Sequence, residues 1–138
     1  MGSEPIDAKP MEAPALTPLT LNNRLAGNPG QAPKYAVTVK NNAGDDVILG
    51  DPKATRALVA LMNVHAVNGG AACHWGGPAA LAEIMASIHG FMFSTNDRPW
   101  YDAYNFVNDA GHTENGVYAL RANLGFDGLT FEDLRGFR

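Results

Sequence analysis

The pattern of apolar residues changes at Asp51, and this change sets the kind of fold that the chain can adopt. From Asp51 onward apolar side chains recur at helical spacing, and glycine-rich joints separate the helical stretches. Asp51 can cap the first helix, with Pro52 at its first position. Gly69 and Gly70 end that helix. The apolar face predicted for it comprises Leu58, Leu61, Met62 and His65.

Three further helices follow from the same pattern. The second is predicted from about Pro78 to Met92. Thr113 can cap the third, and Gly125 stands where a C-terminal glycine is expected. Thr130 opens a short fourth helix, with Asp133 in a position resembling a capping box. The apolar stripe predicted for the second helix comprises Leu81, Ile84, Met85 and Ile88.

The residues before Asp51 lack this helical pattern of apolar side chains. Residues 1–34 hold most of the prolines and show no hydrophobic period, which predicts an irregular arm. Residues 35–50 contain two runs rich in β-formers, 35–40 and 47–49, separated by asparagine and glycine, so a small β-hairpin is expected. The third unit, 51–138, is the helical part.

Composition and charge exclude several classes of protein. The chain has 138 residues, of which 46% are hydrophobic and 17% charged, as suits one globular domain. Its net charge of −4 gives no reason to expect nucleic acid or an anionic membrane as a partner. No apolar run approaches the roughly 18 residues of a spanning helix, and no secretory signal is recognisable. With a single cysteine, no internal disulfide can form, so a cytoplasmic protein is expected.

Two of the joints carry residues suited to chemistry. Residues 69–78 place His74 between glycine pairs just before a helix, and residues 108–116 place His112 directly after Gly111 in the same setting. Small residues let a backbone approach a ligand, and a helix N-terminus favours an anion such as a diphosphate. An imidazole there could donate or exchange a proton. The alternative is a structural loop whose histidine bonds a carbonyl, and neither joint has the spacing of a zinc site.

Other reactive residues are expected to have structural roles. His65 lies on an apolar helix face and is predicted to be a core residue, whereas His89 suits the dipole near the end of its helix. Cys73 is expected to be a buried small side chain, and Glu83 would need a partner if it were buried. The aromatic residues predicted to form core or interface are Trp100, Tyr101, Tyr104 and Phe106.

Four stretches of the helical part match a known family in order and spacing. Residues 72–83 (ACHWGGPAALAE) stand where the family has Ser-Gly-His-Pro-Gly-Ala-Pro-x-Gly-x-Ala-Asp, and residues 106–114 (FVNDAGHTE) where it has Phe-Val-x-Ser-x-Gly-His-Gly-Ser. A Tyr-Ala-Leu helix segment follows at 118–120, and residues 125–138 resemble its Gly-Tyr-x-Leu-x-x-Glu-Asp-Leu-x-x-Phe-Arg segment. Over about residues 53–138 the chain resembles the N-terminal, thiamine-diphosphate-binding part of the transketolase family.

This resemblance implies an α/β enzyme fold of which the chain holds mainly the helical N-terminal part. It implies thiamine diphosphate and Mg²⁺ as cofactors, and transfer of a two-carbon ketol unit between sugar phosphates. His74 corresponds to a catalytic histidine that assists proton movements at the substrate. His112 corresponds to one that lies by both the cofactor diphosphate and the substrate, which makes it a second catalytic candidate and, with Gly111 beside it, a cofactor-binding one. The complete enzyme would be a homodimer, and the chain would need the remaining domains or a partner subunit.

Departures from the family leave other functions open. Trp75 replaces a proline, Glu114 adds a negative charge near the expected diphosphate, and the Gly-Asp-Gly metal motif is absent, so the metal has no predicted ligand in this chain. The 138 residues alone are therefore expected to bind the cofactor weakly or not at all. Residues 111–119 also resemble the homodimeric pyruvate dehydrogenase E1 component, which decarboxylates a 2-oxo acid. A third possibility is a non-catalytic interaction module derived from the family.

Overall fold

The computed structural model describes residues 29–94 and 98–138. These residues form helices and one small hairpin. The predicted fold class is confirmed: the described part is mostly helical, with a two-stranded antiparallel sheet. Of the predicted arm, residues 1–28 lie outside the described residues. The elements are β1 (Ala36–Lys40), β2 (Asp46–Gly50), α1 (Pro52–Asn68), α2 (Gly76–Ala80), α3 (Ala82–Phe93), α4 (Trp100–Ala103) and α5 (Glu114–Asn123). Short 3-10 turns span Gly111–Thr113, Phe126–Gly128 and Asp133–Gly136.

The hairpin forms where the sequence predicts it. β1 and β2 pair in a register that sets Ala36 opposite Gly50 and Lys40 opposite Asp46. The side chain of Asn41 closes the turn, because its Oδ1 accepts hydrogen bonds from the backbone of residues 43 and 45. Leu49 packs against α3 at Gly90, where a Cβ would collide with a methyl carbon of Leu49. The hairpin therefore contacts the helical body at a glycine, and any side chain there would force Leu49 to move.

The cap of α1 is confirmed, but its buried face differs from the predicted one. Asp51 accepts a hydrogen bond of 2.8 Å from the Lys53 N–H. Leu61 is exposed and His65 only half-buried, so the prediction of His65 as a core residue is wrong. α1 turns smaller side chains inward because its neighbour α5 presents alanines to it. The buried residues of α1 are Thr55, Val59, Met62 and Ala66, and those facing them on α5 include Ala119 and Ala122.

The predicted second helix is two helices, α2 and α3, that meet at Leu81. Arg56 of α1 donates from Nε to the Ala79 carbonyl at 3.1 Å. In a continuous helix that carbonyl would accept from the N–H of residue 83, so the contact accompanies the break. Glu83 is exposed and pairs with the same Arg56. The stripe predicted for this helix is also wrong in part, since Ile84 and Ile88 are exposed. The buried residues of α3 are Ala82, Met85, Ala86, His89 and Met92.

His89 is a buried neutral histidine, not a cation placed at a helix end as predicted. Its side chain is only 1% exposed, because α3 continues to Phe93 and turns this position inward. Nδ1 lies 2.9 Å from the Met85 carbonyl, and Nε2 accepts from Arg121 Nε at 3.4 Å. Burial is the main cause that lowers the pKa of His89 to about 4; the Met85 hydrogen bond opposes this shift, and the nearby Arg121 cation adds to it. The ring is therefore a hydrogen-bonding core residue at neutral pH.

α5 is the element on which the others pack. Asn123 at its end is fully buried and bonds the backbone of Tyr35 in both directions, at 2.8 and 2.7 Å. Gly125 follows with a φ of +57°, the left-handed conformation predicted for a C-terminal glycine. The capping box is confirmed, although Asp133–Gly136 forms a 3-10 turn: Asp133 accepts from the Thr130 backbone at 2.7 Å.

Aromatic residues and α3 form a second part of the core. Trp100 is buried with Met92 and Phe126, and the half-buried aromatic side chains pack around them, as predicted for a core. Among the described residues, no helix has both the length and the apolar character needed to cross a membrane.

Candidate functional site

The two histidine-bearing joints meet in the folded chain. The ring centroids of His74 and His112 lie 5.6 Å apart and the ring planes are close to perpendicular, at 72°. Both side chains are exposed to solvent. Residues that are 38 positions apart thus form one pair of imidazoles on the surface. We define His74 and His112 as the histidine pair.

Two asparagine side chains hold the backbone of His74. Asn115, which is buried, donates from Nδ2 to the His74 carbonyl at 2.7 Å, and Asn63 donates to the same oxygen at 3.2 Å. Sequence reasoning assigned neither residue a role. The available signal was the position of Asn115 on the face of α5 that also carries Ala119 and Ala122, because a polar side chain on a buried face needs a partner.

His112 lies in the 3-10 turn Gly111–Thr113, and the side chain of Thr113 links this turn to the preceding loop. The hydroxyl of Thr113 donates to Asn108 Oδ1 at 2.9 Å and contacts the Ala110 carbonyl at 2.7 Å. Thr113 does stand at the N-cap position of α5, but its side chain makes no capping hydrogen bond. The predicted capping role is therefore wrong, because the buried hydroxyl is directed to the preceding loop.

Two glycines let the joints approach each other. A Cβ on Gly77 would lie 2.7 Å from Cδ2 of His112, and a Cβ on Gly116 would lie 3.2 Å from Cβ of Pro78. Distances below 3.0 Å are not tolerated without movement, so the His112 ring can occupy its place only because residue 77 has no side chain. The sequence signal was the Gly-Gly pair after His74, which predicted close approach of the backbone to a ligand and not to the His112 ring.

The surroundings of the histidine pair are open and partly charged. A Cβ on Gly111 would meet no atom within 4 Å, so space is free beside His112. Trp75 is exposed next to His74. Glu114 forms an ion pair of 2.9 Å with Arg138, so its negative charge, noted above as a departure from the family, has a cation beside it.

The side chains at this site suit one of the two cofactors that the resemblance implies, the diphosphate group of thiamine diphosphate, but not the metal ion. Two exposed imidazoles can donate to or accept from a polar ligand, and the free space at Gly111 admits one. The metal does not fit, because the residues that the structure describes contain no group of three metal-binding side chains. Cys73 is half-buried, as expected for a small packed side chain, and its Sγ lies 3.8 Å from Asn115 Nδ2.

Comparison with known proteins identifies the family of this domain. The family model described as transketolase, thiamine diphosphate binding domain, matches residues 52–138. This range contains the histidine pair, both asparagines that hold it and all five helices of the described part. No curated protein and no solved structure matches the chain. Because the match covers more than half of the sequence, the chain belongs to the transketolase family.

Proposed function

We propose that this chain is the N-terminal portion of a cytoplasmic transketolase-like enzyme that transfers a two-carbon ketol unit between sugar phosphates. The observation that supports the proposal is the histidine pair, with 5.6 Å between ring centroids, inside the family match. Both histidines correspond to positions that the family uses at its substrate and cofactor. Their exposure leaves them accessible to a ligand that approaches from solvent.

When bound, thiamine diphosphate supplies the carbon nucleophile on which the transferred unit is carried, so this part of the chemistry belongs to the cofactor. The role of the chain is to position and exchange protons. His74 would hold or accept the proton of a substrate hydroxyl, while Asn115 and Asn63 keep its backbone in place. His112 would donate a hydrogen bond to the diphosphate, with the open space at Gly111 beside it.

The chain would act only when assembled with the rest of the enzyme. The described residues offer no site for Mg²⁺, and a diphosphate needs cations or several donors to offset its charge. We propose that the remaining domains, or a partner subunit, supply these groups in an enzyme that is a homodimer when complete. Calorimetric titration of the chain alone with thiamine diphosphate and Mg²⁺ should show weak binding or none. Tight, magnesium-dependent binding would contradict this part of the proposal.

The catalytic roles are tested in the assembled enzyme with single substitutions. His74→Ala and His112→Ala should each lower two-carbon transfer by about 100-fold or more, the usual contribution of a general acid or base. His65→Ala is the matched control, because this histidine is half-buried on α1 and is not part of the pair. Transfer that persists in both variants while partner binding is retained would favour a non-catalytic interaction module.

A second candidate is a component that decarboxylates a 2-oxo acid. The observation that favours it is the sequence Gly-His-x-x-x-Gly-Val-Tyr-Ala at residues 111–119, which also resembles the pyruvate dehydrogenase E1 component. Release of carbon dioxide from pyruvate without any transfer between sugar phosphates would select this candidate.

A further inference from the structure

The histidine pair presents ring nitrogens that are available to a ligand. Asn63 and Asn115 bond the backbone carbonyl of His74 and not its ring. Within the described part of the chain, no group forms a hydrogen bond with a ring nitrogen of His74 or His112. By contrast, both ring nitrogens of the buried His89 have partners inside the protein. The pair can therefore offer two nitrogen ligands to one ion at the surface.

The spacing of the two rings is close to that of tetrahedral metal coordination. A histidine nitrogen lies about 2.0–2.1 Å from a bound Zn²⁺, which sets the ring centroid about 3.2 Å from the ion. Two such rings at a tetrahedral angle have centroids about 5.2 Å apart, whereas neighbouring positions of an octahedron give about 4.5 Å. The separation of 5.6 Å between His74 and His112 is nearer to the tetrahedral value. The angle of 72° between the ring planes is compatible, because a ring can rotate about its bond to the metal.

We propose that the histidine pair binds Zn²⁺ and that the bound ion inhibits the enzyme. Imidazole nitrogens suit Zn²⁺, whereas Mg²⁺ and Ca²⁺ prefer oxygen ligands. The site is therefore different from the one that the magnesium cofactor needs. The inhibition rests on the proposed function, because the ion would occupy the nitrogens through which His74 exchanges a proton and His112 bonds the diphosphate.

The fold prepares this site from two joints, neither of which has the spacing of a zinc site by itself. The buried side chain of Asn115 holds the backbone of His74, and the absent side chain at Gly77 leaves the His112 ring its place. An ion that needs both rings finds them close together already, which reduces the entropic cost of binding.

Two protein ligands make an exchangeable site and not a structural one. Structural zinc sites have four protein ligands and catalytic sites usually have three, and the residues that the structure describes contain no group of three. Water would complete the coordination, and the open space beside Gly111 can admit it. The ion can therefore leave when its free concentration falls, as a reversible inhibitor must.

Calorimetric titration of the 138-residue chain with zinc chloride tests the site. One Zn²⁺ should bind per chain, and Mg²⁺ under the same conditions should give no comparable signal at this site. His74→Ala and His112→Ala should each weaken zinc binding by at least about tenfold, since loss of even an outer partner of a metal ligand costs about 10–100-fold. His65→Ala is the matched control and should bind like the parent, because this half-buried histidine of α1 is outside the pair.

The variants should keep the fold, because both histidines of the pair are exposed. Circular dichroism should show the helix content of the parent. Zinc affinity that survives the loss of either histidine, or a parent chain that does not bind Zn²⁺, would overturn the proposal.

Inhibition is tested separately in the assembled enzyme. With Mg²⁺ in excess, Zn²⁺ at a concentration that saturates the pair should stop two-carbon transfer, and a zinc-selective chelator should restore it. Transfer that is unaffected at saturating Zn²⁺ would refute the inhibitory role. An assembled enzyme without transfer activity in the absence of zinc would contradict the proposed function, while calorimetry on the chain would still decide whether the pair binds zinc.

Discussion

Acidification should destabilise this protein through His89. Burial lowers the pKa of this side chain to about 4 in the folded state, whereas an unperturbed histidine has a pKa of about 6.5. As the pH falls between these two values, the unfolded chain takes up a proton that the folded chain does not. The free energy of unfolding therefore decreases as the pH drops below about 6.5, and this loss is complete below about pH 4.

The size of the effect follows from the difference between the two pKa values. Each pKa unit corresponds to about 1.4 kcal/mol, so the full loss amounts to roughly 3 kcal/mol. At pH 5 the same linkage relation gives a loss of about 2 kcal/mol relative to pH 7.5. That is a substantial part of the roughly 5–15 kcal/mol that stabilises a typical domain.

Urea unfolding at pH 7.5 and pH 5 tests this reasoning. The buried Trp100 lies in the neighbouring aromatic cluster and supplies the fluorescence signal. His89→Gln retains an acceptor for Arg121 but does not titrate, so its stability should fall by about 2 kcal/mol less than that of the parent over this range. Leu61→Gln, at an exposed position on α1, serves as control and should keep the parent's pH dependence. An unchanged stability difference between parent and His89→Gln at the two pH values would refute the argument.

Three further predictions concern packing and the histidine pair. Asn115→Ala removes a buried hydrogen bond to the His74 carbonyl and should lower the free energy of unfolding by about 1–3 kcal/mol. The same change at Asn63, which is less buried, should lower it by less. Equal losses of the two variants in urea titrations would contradict this prediction. Gly77→Ala should displace the His112 ring, so the NMR signals of that ring should shift while stability changes by less than about 1 kcal/mol; unshifted signals would argue against the contact. Gly90→Ala should force Leu49 away from α3 and cost about 1–3 kcal/mol in thermal or urea unfolding, and a neutral effect would show that the hairpin moves freely.

Local signals were the most dependable guide to the fold. The cap at Asp51, the left-handed glycine at Gly125 and the capping box of Thr130 with Asp133 depend on interactions within four residues, and each forms as predicted. Such contacts are encoded in a short window of sequence. The prediction at Thr113 failed because its hydroxyl has a competing partner five residues away, at Asn108.

Helix faces and the break at Leu81 could not be predicted in this way. The break accompanies a hydrogen bond from Arg56, which is 23 residues before the carbonyl that it contacts. The faces were misassigned because large apolar residues such as Ile84 were taken to define the core. The chain instead buries alanines and His89 where helices approach closely. Residue size at a close helix contact is a tertiary property that periodicity does not contain.

The candidate site was predicted one residue at a time. The glycine-flanked settings of His74 and His112 singled out both histidines, and the family resemblance assigned both of them to the substrate and cofactor site. Their proximity depends on how α2 packs against α5, through Gly77 and Gly116, and no pattern within either joint specifies that packing. The support from Asn115 was missed for the same reason, since its partner lies 41 residues away.

The two hydrogen bonds between Asn123 and Tyr35 also affect where the chain can be shortened without loss of stability. The family match begins at residue 52, so a shortened version designed to that boundary would omit the hairpin. The Asn123 side chain would then lose both of its hydrogen bonds to Tyr35, and Leu120 would lose its contact with Gly50 and become more exposed to solvent. Each buried polar group left without a partner costs about 1–3 kcal/mol. We therefore expect a shortened chain that begins before Tyr35 to be more stable than one that begins at residue 52.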